Sequence, residues 1–310
     1  MTPLTEREVS TDAVRINPAH LWLSTLSPAG RKGMQSQLNR CAALLNNNGN
    51  IATYPWHSLD YGAVMQVRAS LMGQGYAVAT INMALSALKS VANTAFNLGL
   101  LDATTLTTIK TIKRVSGDPK RQGRALTKVE IRAMLNAAGD FSIARCQRDK
   151  AILLLLCGAG LRAGELVSLD IGDVDIPQGI LHVRQGKGRK NRDIHLALKV
   201  HKQLVSWLKV RGDHTGPLFT RISRADRPGT QSLTKTGLTG ILMQLRAIAD
   251  IGHFTPHDLR RTFITQLLEQ GADLNIVRQL AGHADVSTTT RYDCRGQGVV
   301  ERISRGFICW

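Results

Sequence analysis

Between Lys110 and Arg124 the chain carries six bases (Lys110, Lys113, Arg114, Lys120, Arg121 and Arg124) against one acid, Asp118, with Gly117, Pro119 and Gly123 set among them. That composition is a linker's, and its charge suits a segment lying along something negative. The 310-residue chain therefore divides here, and its length suffices for two domains with a core each. The expected division is a polar lead over 1–16, a first domain over 17–112, the basic linker over 113–125 and a second domain over 126–310.

The first domain reads as helices only. Pro18 to Leu26, Pro28 to Leu45, Asp60 to Gly73 and Thr80 to Leu98 are predicted helices. The last carries Ile81, Leu85, Leu88, Val91, Ala92 and Ala95 at helical spacing and stops at Gly99. These make a small helical bundle able to fold alone.

The charge balance narrows the partner. Lys and Arg number 40 against 23 acids, a net +17, which favours a polyanion, nucleic acid first. Met1 to Ser10 has no apolar core, so no signal peptide is expected. The longest apolar run, Ala151 to Leu161, is shorter than the roughly 18 residues of a membrane span. Five cysteines without framework spacing suit a reducing cytosol. The expectation is a cytoplasmic, nucleoid-associated protein with no membrane partner.

The second domain opens at Thr127, whose pairing with Glu130 predicts a capping box for a helix to Ala138. Asp149 to Cys157 is a strongly apolar predicted helix, broken by Gly158-Ala159-Gly160. Arg162 follows at once, and a cation so close to a buried helix needs a partner, because burying one unpaired is very costly. Glu165 is the local candidate. Val174 to Ile176, Ile180 to Gln185 and Asn191 to Leu196 read as a three-stranded meander. Five bases and no acid crowd its second hairpin: Arg184, Lys187, Arg189, Lys190 and Arg192. His195 to Arg211 and Leu233 to Ala249 are predicted helices, with Pro217-Leu218-Phe219 and a polar loop over Arg221 to Thr230 between them.

Thr255 before Pro256, with Asp258 three residues on, predicts a helix start, and Gly271 its end. Leu259, Phe263, Ile264, Leu267 and Leu268 form its apolar stripe. His257 and Arg260, three apart, project near its N-terminal end, where free N–H groups and the helix dipole favour a phosphate. A second helix runs from Asp273 to Gly282, leaving His283 just past its stop, and a short third opens near Ser287 and carries Tyr292. The chemistry suggested is a tyrosine hydroxyl attacking phosphorus. A phenol of pKa about 10 needs its proton removed, and the phosphoryl oxygens need their growing charge neutralised. Arginine forks and histidines can do this. His253 and His257 lie four apart, but Pro256 sets His253 off the helix and no carboxylate or cysteine stands near, so no metal site is expected.

These residues resemble the signature of the tyrosine recombinases, the phage integrase family with its Xer-like members. His257-x-x-Arg260, Gly282-His283 and Thr288-Thr289-x-x-Tyr292 match its C-terminal boxes, and Gly160-Leu161-Arg162-x-x-Glu165-Leu166 its first. The resemblance implies a mainly α fold with a small antiparallel β-sheet: a helical, SAM-like core-binding domain and an α+β catalytic domain closing as a clamp around duplex DNA. It implies site-specific recombination through a 3′-phosphotyrosine intermediate, independent of metal, ATP or any cofactor. Catalysis would fall to Arg162, Lys187, His257, Arg260, His283 and Tyr292, with Glu165 in support and Lys190 the alternative hairpin lysine. Arg184, Arg189, Lys190 and Arg192 of the hairpin, and Lys113, Arg114, Lys120, Arg121 and Arg124 of the linker, would contact DNA. The partner would be a double-stranded recombination site, with inverted repeats, bound by a homotetramer. Val299, Val300, Ile303, Phe307 and Ile308 mark a C-terminal helix over 299–308 that packs on its own domain or, as in the family, on a neighbouring protomer. A type IB topoisomerase-like nicking-closing enzyme and a non-catalytic DNA-binding regulator remain as alternatives. Arg261 stands where many relatives carry His, and Asp293-Cys294 replaces the common Thr-His, departures that touch target preference more than chemistry.

Overall fold

The computed structural model describes residues 16–117, 123–184, 191–282 and 289–290. The chain forms two compact units, residues 1–122 and 123–310, each with its own core. The polar lead and the C-terminal helix over 299–308 lie outside the described residues.

The first unit is helical throughout: α1 (Pro18–Ser24), α2 (Pro28–Leu45), α3 (Tyr61–Gly73), α4 (Val78–Asn97) and α5 (Ala103–Thr111), with a 3-10 turn at Trp56–Ser58. The helix starts follow the capping chemistry in the sequence. Asn17 accepts from the amides of Ala19 and His20, Ser27 from Gly30, and Asp60 from Ala63. Helix α4 is the centre, with Ala84, Ala87, Leu88, Val91, Ala92 and Ala95 fully buried. The helix α5 was not expected, since its threonines are poor helix formers. Asp102 caps it through the amide of Thr105, and Leu106 and Ile109 bury three residues apart. The unit also reaches into the expected linker. Val115 exchanges two hydrogen bonds, 2.8 and 2.9 Å, with the Asn82 amide of α4, so the chain is tied down past Lys113 and Arg114.

The second unit runs α6 (Lys128–Ala137), α7 (Ile143–Gly158), α8 (Ala163–Val167), β1 (Val174–Asp175), β2 (Ile180–Val183), β3 (Arg192–His195) and α9 (Leu198–Arg211). It continues through β4 (Thr220–Ile222), β5 (Pro228–Ser232), α10 (Lys235–Ile248), α11 (Pro256–Glu269) and α12 (Leu274–Ala281). The apolar α7 crosses its core, with Ala151 to Leu156 all under 9% exposed. Strands β1, β2 and β3 form an antiparallel meander in that order, pairing Leu181 with Ile194 and Val183 with Arg192. Trp207 of α9 is fully buried, donates to the Leu218 carbonyl at 2.9 Å and stacks on Phe219, which explains the Leu-Phe element between the helices.

Two expectations are corrected. The polar stretch Arg221 to Thr230 is a β4–β5 hairpin, and α7 begins at Ile143 instead of Asp149. One residue accounts for both. Asp226, at φ +54° in the hairpin turn, accepts from the Ser142 hydroxyl and from the amides of Ala144 and Arg145, capping α7 from 82 residues away. No local signal could show a cap supplied from so far along the chain. A buried Arg148–Asp149 pair at 2.8 Å adds a tie, because Arg148 also donates to the Thr220 carbonyl of β4.

Leu88 is fully buried where α4 meets its neighbours. Leu88→Ala should destabilise the N-terminal unit by about 2–5 kcal/mol through lost burial and the cavity left behind. A lower urea midpoint at unchanged slope would show it.

Candidate active site

The break after α7 begins the site. Gly160 has φ +63°, and a Cβ there would lie 2.3 Å from Cδ1 of Phe263 on α11, so this turn needs glycine for conformation and for space. The turn delivers Arg162 to the N-terminus of α8 and aims the Gly160 carbonyl at Arg260.

Glu165, one turn into α8 and 8% exposed, is the hub. Its carboxylate accepts from the Arg162 amide at 2.9 Å and from Arg162 Nη1 at 2.6 Å. Arg192, the first residue of β3, adds a two-pronged pair, Nη1 to Oε1 at 3.1 Å and Nη2 to Oε2 at 2.8 Å. Arg260 of α11 brings its Nη1 to 4.0 Å from Oε2. Burial alone would raise the Glu165 pKa, but the Arg192 and Arg162 hydrogen bonds and charges outweigh it and hold the carboxyl at about 2.

The same guanidinium groups grip the end of α12. Arg162 Nη2 donates to the Gly282 carbonyl at 2.8 Å, Arg192 Nε to the Leu280 carbonyl at 3.1 Å, and Arg260 Nη2 to the Ala281 carbonyl. These carbonyls are the negative pole of that helix, where cations are favoured. Gly282, left-handed at φ +61°, lets the backbone turn over Arg192, whose Nη1 would be 2.9 Å from a Cβ there. Arg260 is 1% exposed and also donates to the Gly160 carbonyl at 2.7 Å, while the Arg162 side chain keeps 27% of its surface open. Arg162 is the outward-facing cation of the three.

His257 sits in the first turn of α11. The helix starts as the sequence reads: Asp258 accepts from the amide and the hydroxyl of Thr255, each at 2.8 Å, and Pro256 follows the cap. The residue is solvent-accessible, yet partial burial of its ring lowers the pKa first, and the charges of Arg260, Arg261 and Arg162 lower it further against the opposing Asp258. The imidazole is thus held in its neutral form beside a cationic centre.

Of the sequence-predicted residues, the structure brings Arg162, Glu165, His257 and Arg260 into one cluster. Lys187, Arg189 and Lys190 of the hairpin tip, His283, Tyr292, Lys120 and Arg121 lie outside the described residues. Arg192 faces inward, its side chain 9% exposed and ion-paired, where an outward DNA contact was expected. Strand alternation carries the signal: Arg192 shares parity with Ile194, 2% exposed. Arg184 is largely open and pairs with Asp173 at 2.8 Å. Arg124 pairs with Glu130 at 2.7 Å, and Lys113 and Arg114 are exposed. Among the described residues no cluster of His, Cys, Asp or Glu fits a metal, and no helix is long and apolar enough to cross a membrane.

A helical unit joined through a basic segment to an α+β unit that presents arginines and a neutral histidine at one cationic centre is the build of a DNA strand transferase. The family model described as "Phage integrase family" matches residues 124–295. The chain is 34% identical over 227 residues to the tyrosine recombinase XerA of Pyrococcus horikoshii, 72% of each chain. It is 32% identical over 276 residues to the tyrosine recombinase XerC of Vibrio vulnificus, covering 86% of this chain and 81% of the relative. The chain belongs to the phage integrase family, the tyrosine recombinases. In fold it is similar to the Tn1549 transposon integrase in complex with transposon right-end DNA, at TM-score 0.70 and 18% identity over 93% of this chain and all of the other. It is likewise similar to a lambda integrase tetramer bound to a Holliday junction, at 0.66 and 17% over 89% and 78%.

With a folded pKa near 2 against an ordinary 4.5, Glu165 contributes stability that is present above pH 4.5 and lost as pH falls through about 2. Glu165→Gln should therefore be less stable than the wild type at neutral pH, with the gap narrowing from pH 4.5 downward. Urea titrations across that range would read it, and a pH-independent gap would contradict it.

Proposed function

We propose that the chain cleaves and rejoins DNA at a specific site, with Tyr292 as nucleophile and Arg162, Arg260 and His257 as the centre that receives the scissile phosphate. The carrying observation is the convergence of Arg162 and Arg260 on the end of α12, with His257 in the first turn of α11 three residues before Arg260, immediately ahead of His283 and the segment holding Tyr292. Tyr292 Oη bonds to phosphorus as the P–O5′ bond breaks, and His257, held neutral, takes the phenolic proton. Arg162 and Arg260 neutralise the charge on the non-bridging oxygens, work a guanidinium fork suits geometrically. Lys187, or Lys190 beside it, returns a proton to the leaving 5′ oxygen, and His283 supplies a further hydrogen bond. The 3′-phosphotyrosyl link conserves the bond energy, so a second 5′ hydroxyl can reverse the step without ATP. With these arginines in the role that cations play elsewhere, the step calls for no metal.

The remaining expectations belong to the same reading. The helical unit over 17–112 and the linker over 113–125 would bind duplex DNA as the catalytic unit does, with Arg184, Arg189, Lys190, Lys113, Arg114, Lys120, Arg121 and Arg124 along its phosphates. The likeness to a lambda integrase tetramer on a Holliday junction supports four protomers on two duplexes. The C-terminal helix over 299–308 would link them, and the nucleoid would be the place of action. The intact arginine, histidine and tyrosine set favours this reading over a binding-only regulator.

Incubating the protein in EDTA with nicked duplexes from the gene's own neighbourhood should give a protease-sensitive adduct on a denaturing gel, abolished in Tyr292→Phe. An adduct that survives that substitution would remove the assigned nucleophile. At sub-saturating DNA, where the rate reports the free enzyme, adduct formation should fall on acidification with a midpoint below the ordinary imidazole value of 6.5. Loss of that limb in His257→Ala would assign it.

A further inference from the structure

We infer that Arg192 is a positioning residue for strand cleavage: by occupying the Glu165 carboxylate it limits Arg162 to one prong there and leaves part of that guanidinium open to meet the phosphate. This rests on the reading above and deepens it. A carboxylate offers about four lone-pair sites. On Glu165 all four are taken, two by Arg192 at 2.8 and 3.1 Å, one by Arg162 Nη1 at 2.6 Å and one by the Arg162 amide at 2.9 Å. Arg162 thus holds its carboxylate by one prong and keeps Nη2 turned to the Gly282 carbonyl.

Removing Arg192 would vacate two acceptor sites beside Arg162. A guanidinium next to a carboxylate with open lone pairs prefers the two-pronged pair, which is stronger and more directional. Arg162 would then rotate onto Glu165, taking its Nη2 from the Gly282 carbonyl and its charge from the exposed side. The inward placement of Arg192 fits this role and not a direct phosphate contact, since its side chain is 9% exposed and all three of its nitrogens have protein acceptors. Through Nε on Leu280 and its contact under Gly282, the same side chain also sets the spacing between β3, which continues from the hairpin of Lys187, and the end of α12, which leads to His283. The cluster carries three guanidinium charges and one carboxylate, so without Arg192 a single net positive charge remains where two were.

The test is single-turnover adduct formation on a nicked duplex, with duplex affinity and thermal unfolding measured alongside. Arg192→Met keeps the stem's bulk and should slow adduct formation at saturating DNA roughly 10- to 100-fold, as a displaced catalytic group does. Arg192→Lys keeps the charge without the fork and should fall between wild type and Arg192→Met. Adding Glu165→Gln to Arg192→Met should recover a large part of the loss, since a neutral amide no longer captures Arg162; a merely structural Arg192 would show additive or worse damage instead. Arg192→Met at the wild-type rate, or a double variant no faster than the single, overturns the inference. Absence of any adduct with wild-type protein would instead overturn the functional reading and this inference with it.

Discussion

One carboxylate holds the catalytic unit's centre together. Glu165 joins α8, β3 and, at longer range, α11 through three guanidinium groups, and each of those groups continues to a carbonyl at the end of α12. A buried charge is tolerated only when its partners satisfy it. Here the satisfaction is mutual: the acid stabilises arginines that would otherwise repel one another, and the arginines hold the acid ionised at a pKa of about 2. The result is a preorganised cationic centre whose charges are fixed by their partners, with Arg162 its most exposed member.

The scaffold around the hub shows how that geometry is kept. Gly160 and Gly282 take left-handed conformations at the two turns that bracket it, and at both positions a Cβ would collide with a neighbouring side chain, Phe263 in one case and Arg192 in the other. Helix α11 is anchored by its capping box and by Thr262, whose hydroxyl accepts from the Leu126 amide at 2.8 Å where the chain enters the unit. Gly123 lies so close to Asp258 that a Cβ there would reach 2.2 Å from its carboxylate, so the incoming chain presses against the very turn that carries His257. His257, its pKa lowered, and the outward Arg162 stand on this frame.

The local grammar of the chain was largely legible. The cap at Thr127 and the start at Asp273 stand where side-chain chemistry put them, the meander has the expected order, and Leu259, Phe263, Ile264 and Leu268 of the α11 stripe are buried as their spacing requires. The Arg162–Glu165 pairing and the place of His257 and Arg260 in the first turns of α11 were readable because residue type and spacing on short helical segments are local properties. Helix α5 was harder to see, its threonines masking a stripe that only packing against α4 reveals.

What the sequence determined by itself was the list of chemical groups, the two-part division and most of the helix ends, since caps, breaks and periodicity act over a few residues. The tertiary structure alone decided the partnerships. Asp226 caps α7 from across the unit, the hairpin Arg192 turns inward to Glu165 instead of outward, and Arg162 meets a carbonyl 120 residues away. The physical reason is the same in each case: an unsatisfied helix end or buried charge can take any suitable partner, and only the packed fold determines which one lies within hydrogen-bonding distance.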